Sequence, residues 1–359
     1  MNKEIIKNTQ AVSILILFLL GTTLLVGTGG EAKGDMWLSI LLSIALSIPL
    51  VLIYSRLLSL FRGQGLFDIL ELVLGKIVGK LVALLFTWYA LHLGAMVLRN
   101  FGEFLNVVAM PETPVFVPML CLGALCILVV REGVEVLGRT AAFFLPLVVI
   151  FIIIITLVSI PKMHPDYIRP LLYNGFSPII TGAFSALSFP FAETVLFLAV
   201  FFSLQPSKSP YKVYLSGIIT GGLIITFVAL RNLLILSPAV TSVLYFPSHA
   251  AVSRLTIGDF LQRMEVTVAT TFVVTGFIKG SVCLFAACSG VAKILGLKNY
   301  RTVAIQVGLL MIYLASFIYD SIMEMEFWAF KIYAYYAFPF QVILPIIILI
   351  AAEIRVRWG

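Results

Sequence analysis

Ten runs of apolar residues, separated by short polar connections, make up most of the chain. A helix needs about 20 apolar residues to cross the roughly 30 Å hydrocarbon core of a bilayer. Runs of that order lie at 11–30, 36–59, 80–107, 113–130, 136–160, 178–203, 213–236, 264–290, 302–319 and 328–352. The sequence therefore predicts an all-α polytopic membrane protein with ten transmembrane helices in a single domain, residues 1–359.

Composition excludes a soluble protein of this length. The chain is 61% hydrophobic and 11% charged, whereas soluble domains carry about 25% charged residues. The net charge of +7 comes from Lys and Arg in the short connections, which indicates membrane orientation and not a nucleic-acid surface. The four cysteines form no CxxC pair and lie inside apolar runs, so we interpret them as packing residues without disulfides.

Lys and Arg residues also predict the orientation of the chain. One side of the predicted bundle receives fifteen of them, the other side eight, and Lys279 falls inside a run. The positive-inside rule then places both termini in the cytoplasm. The even number of spans is consistent with this, since it puts both termini on one side. The first run follows Lys3 and Lys7 as in a signal peptide, but it lacks a small-residue cleavage site, and we expect a retained helix.

A polar, proline-rich connection at 161–170 divides the runs into two sets of five. Because five is odd, the two halves, 1–160 and 174–352, begin on opposite sides of the membrane. A shared fold would make them inverted repeats. The layout supports this hypothesis, since a short amphipathic segment follows the second run of each half, at 66–73 and at 256–262.

Glycine, threonine and proline interrupt the first run of each half. Glycine costs about 1 kcal/mol relative to alanine inside a helix, and proline removes a backbone donor and costs about 3 kcal/mol. Paired interruptions in corresponding helices favour a binding site near the midplane, although small residues also serve close helix packing. The predicted site includes the interrupting residues Gly21, Thr22, Thr23, Gly27, Ser188, Phe189 and Pro190.

Two ionisable residues lie deep in apolar surroundings: Glu193, just beyond the second interruption, and Lys279, in the middle of the eighth run. A lysine at a helix centre costs about 2.5–3.5 kcal/mol, so such a residue faces a cavity or a partner. Thr271 and Thr275 precede Lys279 at four-residue intervals and share its helix face. We expect all four to line the site; the alternatives are a lysine that caps backbone carbonyls and threonines that join helices.

Other polar and aromatic residues fit structural roles. His92 is a candidate for a proton relay or for a hydrogen-bonded structural residue, while Arg99 and Glu103 fall near the predicted outer surface. Trp328 and Tyr333 lie near one end of the tenth run and are typical of interfacial anchors. No P-loop, GxSxG, HExxH or His/Cys cluster occurs, so the sequence predicts no catalytic constellation, no metal site and no cofactor.

Ten spans in two inverted sets of five, interrupted in the first and sixth, resemble the leucine-transporter fold and the amino acid–polyamine–organocation superfamily. Particular strings go further and resemble the endospore germination permeases, the B subunits of bacterial nutrient germinant receptors. These strings run in order along nearly the whole chain: Gln-Ala-Val-Ser at 10–13, Leu-Gly-Thr at 20–22, Asp-Met-Trp at 35–37, Gly-Val-Glu-Val-Leu-Gly-Arg at 133–139, Arg-Pro-Leu-Leu-Tyr-Asn-Gly at 169–175, Ser-Phe-Pro-Phe-Ala-Glu at 188–193, Arg-Met-Glu at 263–265 and Phe-Ile-Lys at 277–279. Each string is short, and their common order carries the resemblance.

The resemblance implies a receptor subunit in the inner membrane of a bacterial spore. Such a subunit binds a small germinant, an amino acid or a sugar, and works beside an A subunit and a lipoprotein C subunit to trigger germination. In the wider superfamily the ligand lies between the unwound parts of helices one and six, with helices three and eight completing the pocket. In this chain that implies a pocket at Gly21, Thr22, Thr23, 188–190 and the region of Lys279.

Three functions are compatible with these features. A nutrient-sensing subunit and a proton-coupled amino acid permease need the same pocket. They differ in whether the transport cycle completes, which depends on small energy gaps between states. A channel-like conduit would use the threonine stripe, and a membrane enzyme has the least support because no catalytic arrangement occurs.

Overall fold

A computed structural model describes residues 4–205, 209–255 and 264–358. Over these residues the chain is helical, and the only strand-like pairing is one parallel bridge between Ile6 and Leu204. Short 3₁₀ and π segments join the α-helices. The α-helices are α1, Asn8–Leu20; α2, Thr23–Val26; α3, Met36–Leu60; α4, Leu66–Leu74; α5, Lys76–Val108; α6, Phe116–Glu132; α7, Val134–Ser159; α8, Ser177–Ala186; α9, Pro210–Leu236; α10, Pro238–Thr241; α11, Pro247–Val252; α12, Met264–Leu295; α13, Ala304–Phe317; α14, Ile322–Phe327; α15, Tyr333–Phe338; and α16, Leu344–Trp358.

Nine helical stretches among the described residues are long and apolar enough to cross a membrane. They correspond to nine of the ten predicted runs. The remaining run, 113–130, corresponds to α6, whose 17 residues fall below the 18 residues of the shortest of the nine. The all-α membrane fold is therefore confirmed, while the count of ten spans stays a prediction.

The centre of the bundle is formed by α1 and α12, because most residues of the stretches Asn8–Val26 and Val266–Leu295 are buried. The helix α7 and the last stretch, Ile322–Arg357, lie at the periphery, because only 28% of the most apolar 18 residues of each are buried. Away from the helix ends they expose large apolar side chains such as Phe143 and Ile347, as contact with lipid requires. The interruption between α1 and α2 is thus surrounded by protein, where freed backbone groups can find partners.

Polar contacts close one end of the bundle, which we call the N-terminal face and which comprises residues 4–7, 66–75, 132–135, 203–205, 293–301 and 353–357. Glu4 accepts hydrogen bonds from Arg301 at 2.5 Å and from the Tyr300 hydroxyl at 2.9 Å. Lys293 lies 2.8 Å from Asp68 on α4. The first set of contacts joins the segment before α1 to residues 300 and 301, and the second joins α12 to α4.

The other end of the helices forms the opposite face, which comprises residues 30–35, 109–115, 160–176, 237–255 and 318–322. There the backbone amide of Leu172 donates to the carboxylate of Asp35 at 3.1 Å. Arg99 and Glu103, which were predicted near the outer surface, are both buried within the protein and form an ion pair of 2.8 Å, and their depth in the membrane stays a prediction. Arg99 also donates to the Ser316 carbonyl at 3.1 Å, which replaces the water it would meet at a surface.

The division into inverted repeats, 1–160 and 174–352, stays a prediction. Of the two amphipathic segments on which it relies, 66–73 forms the helix α4 and packs against α5. The other segment, 256–262, lies outside the described residues.

Candidate ligand-binding site

The helix of the first run ends at Leu20 and resumes as α2. Between them Gly21 adopts φ −1° and ψ −116°, far from helical values. A Cβ atom at Gly21 would lie 2.5 Å from Cδ of Lys279, so the absence of a side chain lets the lysine pass the interruption. After α2, Gly27 has φ 77°, a left-handed conformation that favours glycine. The local backbone therefore depends on both glycines.

The helix of the sixth run departs from helical geometry at Phe189, where φ is −135° and ψ is 106°. The helix α8 precedes this residue, and a 3₁₀ segment, Ala192–Ala199, follows it. The freed carbonyls have partners: that of Phe189 accepts from Thr28 Oγ1 at 2.9 Å, and that of Ser188 accepts from Gln341 Nε2 at 2.8 Å. Because Thr28 lies just beyond α2, its hydrogen bond joins the two interruptions directly.

A buried ion pair connects the two interruptions to α12. Lys279 Nζ lies 2.6 Å from Glu193 Oε2, and both side chains are 0% exposed. The ammonium also donates to Thr22 Oγ1 at 3.4 Å and lies over the rings of Phe189 and Phe18, at 4.7 and 5.2 Å from their centroids. Burying each ion costs several kcal/mol, and their mutual attraction in a low-dielectric interior offsets that cost. Each charge therefore makes the other tolerable inside the membrane.

A polar network extends from this ion pair into the tenth run. Tyr333 donates to Glu193 Oε1 at 2.5 Å, and its hydroxyl lies 3.1 Å from that of Tyr89. The side-chain Nε2 of Gln341 donates to the Tyr89 hydroxyl at 2.8 Å. The backbone carbonyl of Gln341 accepts from the Tyr54 hydroxyl at 2.5 Å. The prediction of Tyr333 as an interfacial anchor is wrong, because the residue is buried and its hydroxyl donates to the buried carboxylate of Glu193. The site predicted from the sequence did not include Tyr54, Tyr89 or Gln341.

A cavity of about 60 Å³ lies between the two interruptions, α5 and the start of the tenth run. One water needs about 10–15 Å³, so the cavity is large enough for a small polar molecule. Four of the predicted site residues line the cavity: Thr22, Gly27, Phe189 and Glu193. The other lining residues are Val26, Thr28, Gly29, Glu31, Leu93, Met96, Val97, Asn100, Ser185, Tyr245, Tyr319, Met325, Trp328, Ala329, Phe330, Tyr333 and Ala334.

The cavity lies in the half of the bundle next to the opposite face, where aromatic rings and a few polar groups enclose it. Trp328 was expected as an interfacial anchor, but it lines this cavity because the tenth run packs inward there. The Glu31 carboxylate accepts from Ser185 at 2.5 Å. Burial raises the pKa of the Tyr245 hydroxyl, so it stays protonated and donates to Asn100 at 2.5 Å.

The remaining predicted residues fall into three groups. Thr275 and Gly21 lie with Lys279 directly behind the cavity wall, where Thr275 Oγ1 donates to the Gly21 carbonyl at 3.1 Å. Thr271 lines a separate cavity, because each four-residue step along a helix rotates the side chain by about 40°. The others are buried beside the interruptions without lining the cavity: Thr23, Ser188 and Pro190.

His92 lies against aromatic rings, with centroids 5.4 Å from Trp88 and 5.1 Å from Tyr336. Its Nδ1 has no hydrogen-bond partner among the described residues, and its role as a proton relay stays a prediction. Over the same described part of the chain, no group of three or more His, Cys, Asp and Glu side chains has the arrangement of a metal site.

Two solved structures share the fold of this chain. The chain matches Mhp1, a nucleobase-cation-symport-1 family transporter with bromovinylhydantoin bound, with a TM-score of 0.71 and 9% identity over 97% of this chain and 78% of that one. It matches MhsT in complex with L-phenylalanine with a TM-score of 0.68 and 12% identity over 100% of this chain and 91% of that one. At these identities the likeness concerns the fold. The fold is therefore that of leucine-transporter-like transporters.

Sequence comparison then gives the family. The profile of the family described as Spore germination protein matches residues 5–324, and the chain belongs to this family. It is 28% identical to Spore germination protein KB of Bacillus subtilis (strain 168) over 356 residues, 98% of this chain and 95% of that protein. It is 25% identical to Spore germination protein GerQB of Bacillus cereus over 369 residues, 96% of this chain and 97% of that protein. The resemblance drawn from the sequence is confirmed, and the chain is a multi-pass membrane protein whose family and fold are of the transporter or receptor type.

Proposed function

We propose that this chain is the membrane-embedded subunit of a spore nutrient germinant receptor. It binds a small germinant, an amino acid or a sugar, between the two interrupted helices. Together with an A subunit and a lipoprotein C subunit, it triggers germination. It lies in the inner membrane of the spore with both termini in the cytoplasm. The observation that carries the proposal is the buried ion pair between Glu193, which lines a small cavity, and Lys279, which lies behind its wall, in a chain of the Spore germination protein family.

An amino acid suits the charges at this cavity better than a sugar. The ammonium of a zwitterion can pair with Glu193 and its carboxylate with Lys279, so that the ligand would replace one buried ion pair by two. MhsT, which has a similar fold, was solved in complex with L-phenylalanine. A sugar would instead use the hydroxyl and amide groups of Thr22, Ser185 and Asn100.

Binding acts as a signal only if it favours one arrangement of the helices over another. A ligand shifts such an equilibrium by its differential affinity for the two states. A ligand that separates Glu193 from Lys279 acts on three elements together, since Lys279 lies on α12, Glu193 follows the second interruption and Thr22 lies in the first. The partner subunits would read the resulting rearrangement.

A proton-coupled amino acid permease is the second candidate. Glu193 is a carboxylate at the cavity that accepts hydrogen bonds from Tyr333 and Lys279. A proton on Glu193 would weaken its hold on Lys279, which is the kind of coupling that a permease needs. Transport would also require the N-terminal face to open, and there Glu4 is bound to Arg301.

The test is the germination of spores that lack this gene, scored against a panel of single amino acids and sugars. We expect loss of the response to one nutrient. The native chain and a Lys293→Met control should restore the response, whereas Lys279→Met at equal abundance in the membrane should not. An unchanged germination profile contradicts the receptor proposal, and uptake of labelled amino acids into proteoliposomes then tests the permease.

A further inference from the structure

The ligand cavity has a second carboxylate in its wall, that of Glu31, which lies in the 3₁₀ segment Gly30–Asp35 after α2. The side chain is half-buried, and its Oε1 accepts a hydrogen bond from Ser185 Oγ on α8 at 2.5 Å. Among the side chains that the structure describes, no lysine, arginine or histidine forms an ion pair with it. A carboxylate has about four lone-pair positions, and the described residues occupy one of those of Glu31.

The charged side chains that line the cavity are all acidic in the described part of the chain. The other one is Glu193, whose two oxygens already accept hydrogen bonds from Lys279 and Tyr333. Lys279 balances the charge of Glu193 but lies behind the cavity wall. Of the two carboxylates, only that of Glu31 can therefore bind a cationic group without the loss of an existing ion pair.

Aromatic rings form much of the same wall. Six of the described residues in it are aromatic: Phe189, Tyr245, Tyr319, Trp328, Phe330 and Tyr333. The face of an aromatic ring attracts a cation such as an ammonium group, because the ring carries negative charge on its faces and positive charge at its edge. A wall of carboxylates and aromatic rings, without a lysine, arginine or histidine among the described lining residues, favours a cationic ligand group over an anionic one.

We propose that Glu31 selects the ligand of this cavity by charge. Its carboxylate binds an ammonium group, so the germinant is an amine-bearing molecule such as an amino acid and not a sugar. The inference rests on the proposed function, because it concerns the ligand of the same cavity, and it assigns to Glu31 the ammonium that Glu193 could accept only by releasing Lys279. Since Glu31 belongs to the opposite face as well as to the cavity wall, a ligand that enters from that face meets this carboxylate on its way in.

The first test uses the purified full-length protein and simple probes, so the germinant need not be known. Thermal unfolding is measured in methylammonium chloride, ethylammonium chloride and sodium chloride at one ionic strength, and with ethanol as an uncharged analogue of ethylammonium. We expect both alkylammonium ions to raise the melting temperature above its value in sodium chloride in a saturable manner, and ethanol to give no such rise.

Two variants locate the effect. Glu31→Gln, which keeps an acceptor for Ser185, should remove the alkylammonium dependence, and Glu31→Ala serves in its place if Glu31→Gln does not fold. Glu112→Gln alters an exposed acidic residue of the same face outside the cavity wall and should retain the dependence. Equal melting temperatures in alkylammonium and sodium chloride, or a dependence that survives the loss of Glu31, would overturn the proposal.

Germination gives the second test. Spores that lack this gene receive the native chain, Glu31→Gln or Glu112→Gln at equal abundance in the membrane. We expect the nutrient whose response depends on the gene to carry an ammonium group. Glu31→Gln should raise the half-maximal concentration of that nutrient by about tenfold or more, which corresponds to about 1.4 kcal/mol of binding, and Glu112→Gln should leave it unchanged.

The outcomes separate this inference from the proposed function. A gene-dependent response to a sugar alone, or an unchanged half-maximal concentration in Glu31→Gln, refutes the selection by Glu31 and leaves the receptor proposal intact. Germination that does not depend on the gene contradicts the receptor proposal, and the alkylammonium measurement then decides whether Glu31 binds cations.

Discussion

Removing the charge of Lys279 and removing that of Glu193 should have strongly interdependent effects on the free energy of unfolding. Their side chains are 0% exposed and 2.6 Å apart. Removing one partner of a buried ion pair costs about 3–5 kcal/mol, whereas replacing both by neutral groups of similar volume is often close to neutral. We therefore expect Lys279→Met and Glu193→Gln each to lower the free energy of unfolding by about 3–5 kcal/mol, and the double variant to recover most of that loss.

Unfolding of the native protein, both single variants and the double variant in one detergent completes a double-mutant cycle. Lys293→Met is a matched control on the same helix, since Lys293 is 31% exposed and pairs with Asp68. Pairs of that exposure contribute about 0–1 kcal/mol. Losses that simply add in the double variant would refute the reasoning, because they would mean that the two charges do not depend on each other.

Two further substitutions test the surroundings of the pair. Gly21→Ala should lower the melting temperature and weaken the germination response, since its Cβ would lie 2.5 Å from Cδ of Lys279; the control Gly276→Ala meets no atom within 4 Å, and equal losses in both would contradict the argument. Tyr333→Phe keeps the ring but removes a hydrogen bond to a buried carboxylate, so a loss of about 1.5–3 kcal/mol is expected in the same unfolding assay. Tyr335→Phe alters a hydroxyl on a residue that is 72% exposed, and a comparable loss there would show that the hydrogen bond is not the cause.

Local properties of the sequence are enough to predict that the chain is a membrane protein and which residues lie beside the two interruptions. An apolar run of about 20 residues indicates a transmembrane helix, whichever elements pack against it. Gly21 and Pro190 act on their own backbone, so their effect is visible without knowledge of the packing. These local features are enough to predict that Thr22, Phe189 and Glu193 lie near one another.

The pairing of side chains across the bundle could not be predicted in the same way. A charge inside an apolar run indicates that a partner exists, but Glu193 and Lys279 are 86 positions apart. Tyr333 and Trp328 suit a membrane interface and a buried cavity equally well, because each ring carries one polar group on an apolar body. Gln341, a lone amide within the tenth run, was the available signal that this helix also faces polar partners.

The two ends of the bundle differ in a way that bears on which compartment the protein can sample. At the N-terminal face, Glu4 is bound to Arg301, and Lys293 is bound to Asp68. The cavity lies beyond Lys279, in the other half of the bundle. A solute that comes from the N-terminal side must break those ion pairs and pass the lysine, whereas one from the other side meets neither. In this conformation a receptor that binds its ligand in this cavity, as proposed, would sense the composition of one compartment and not that of the other.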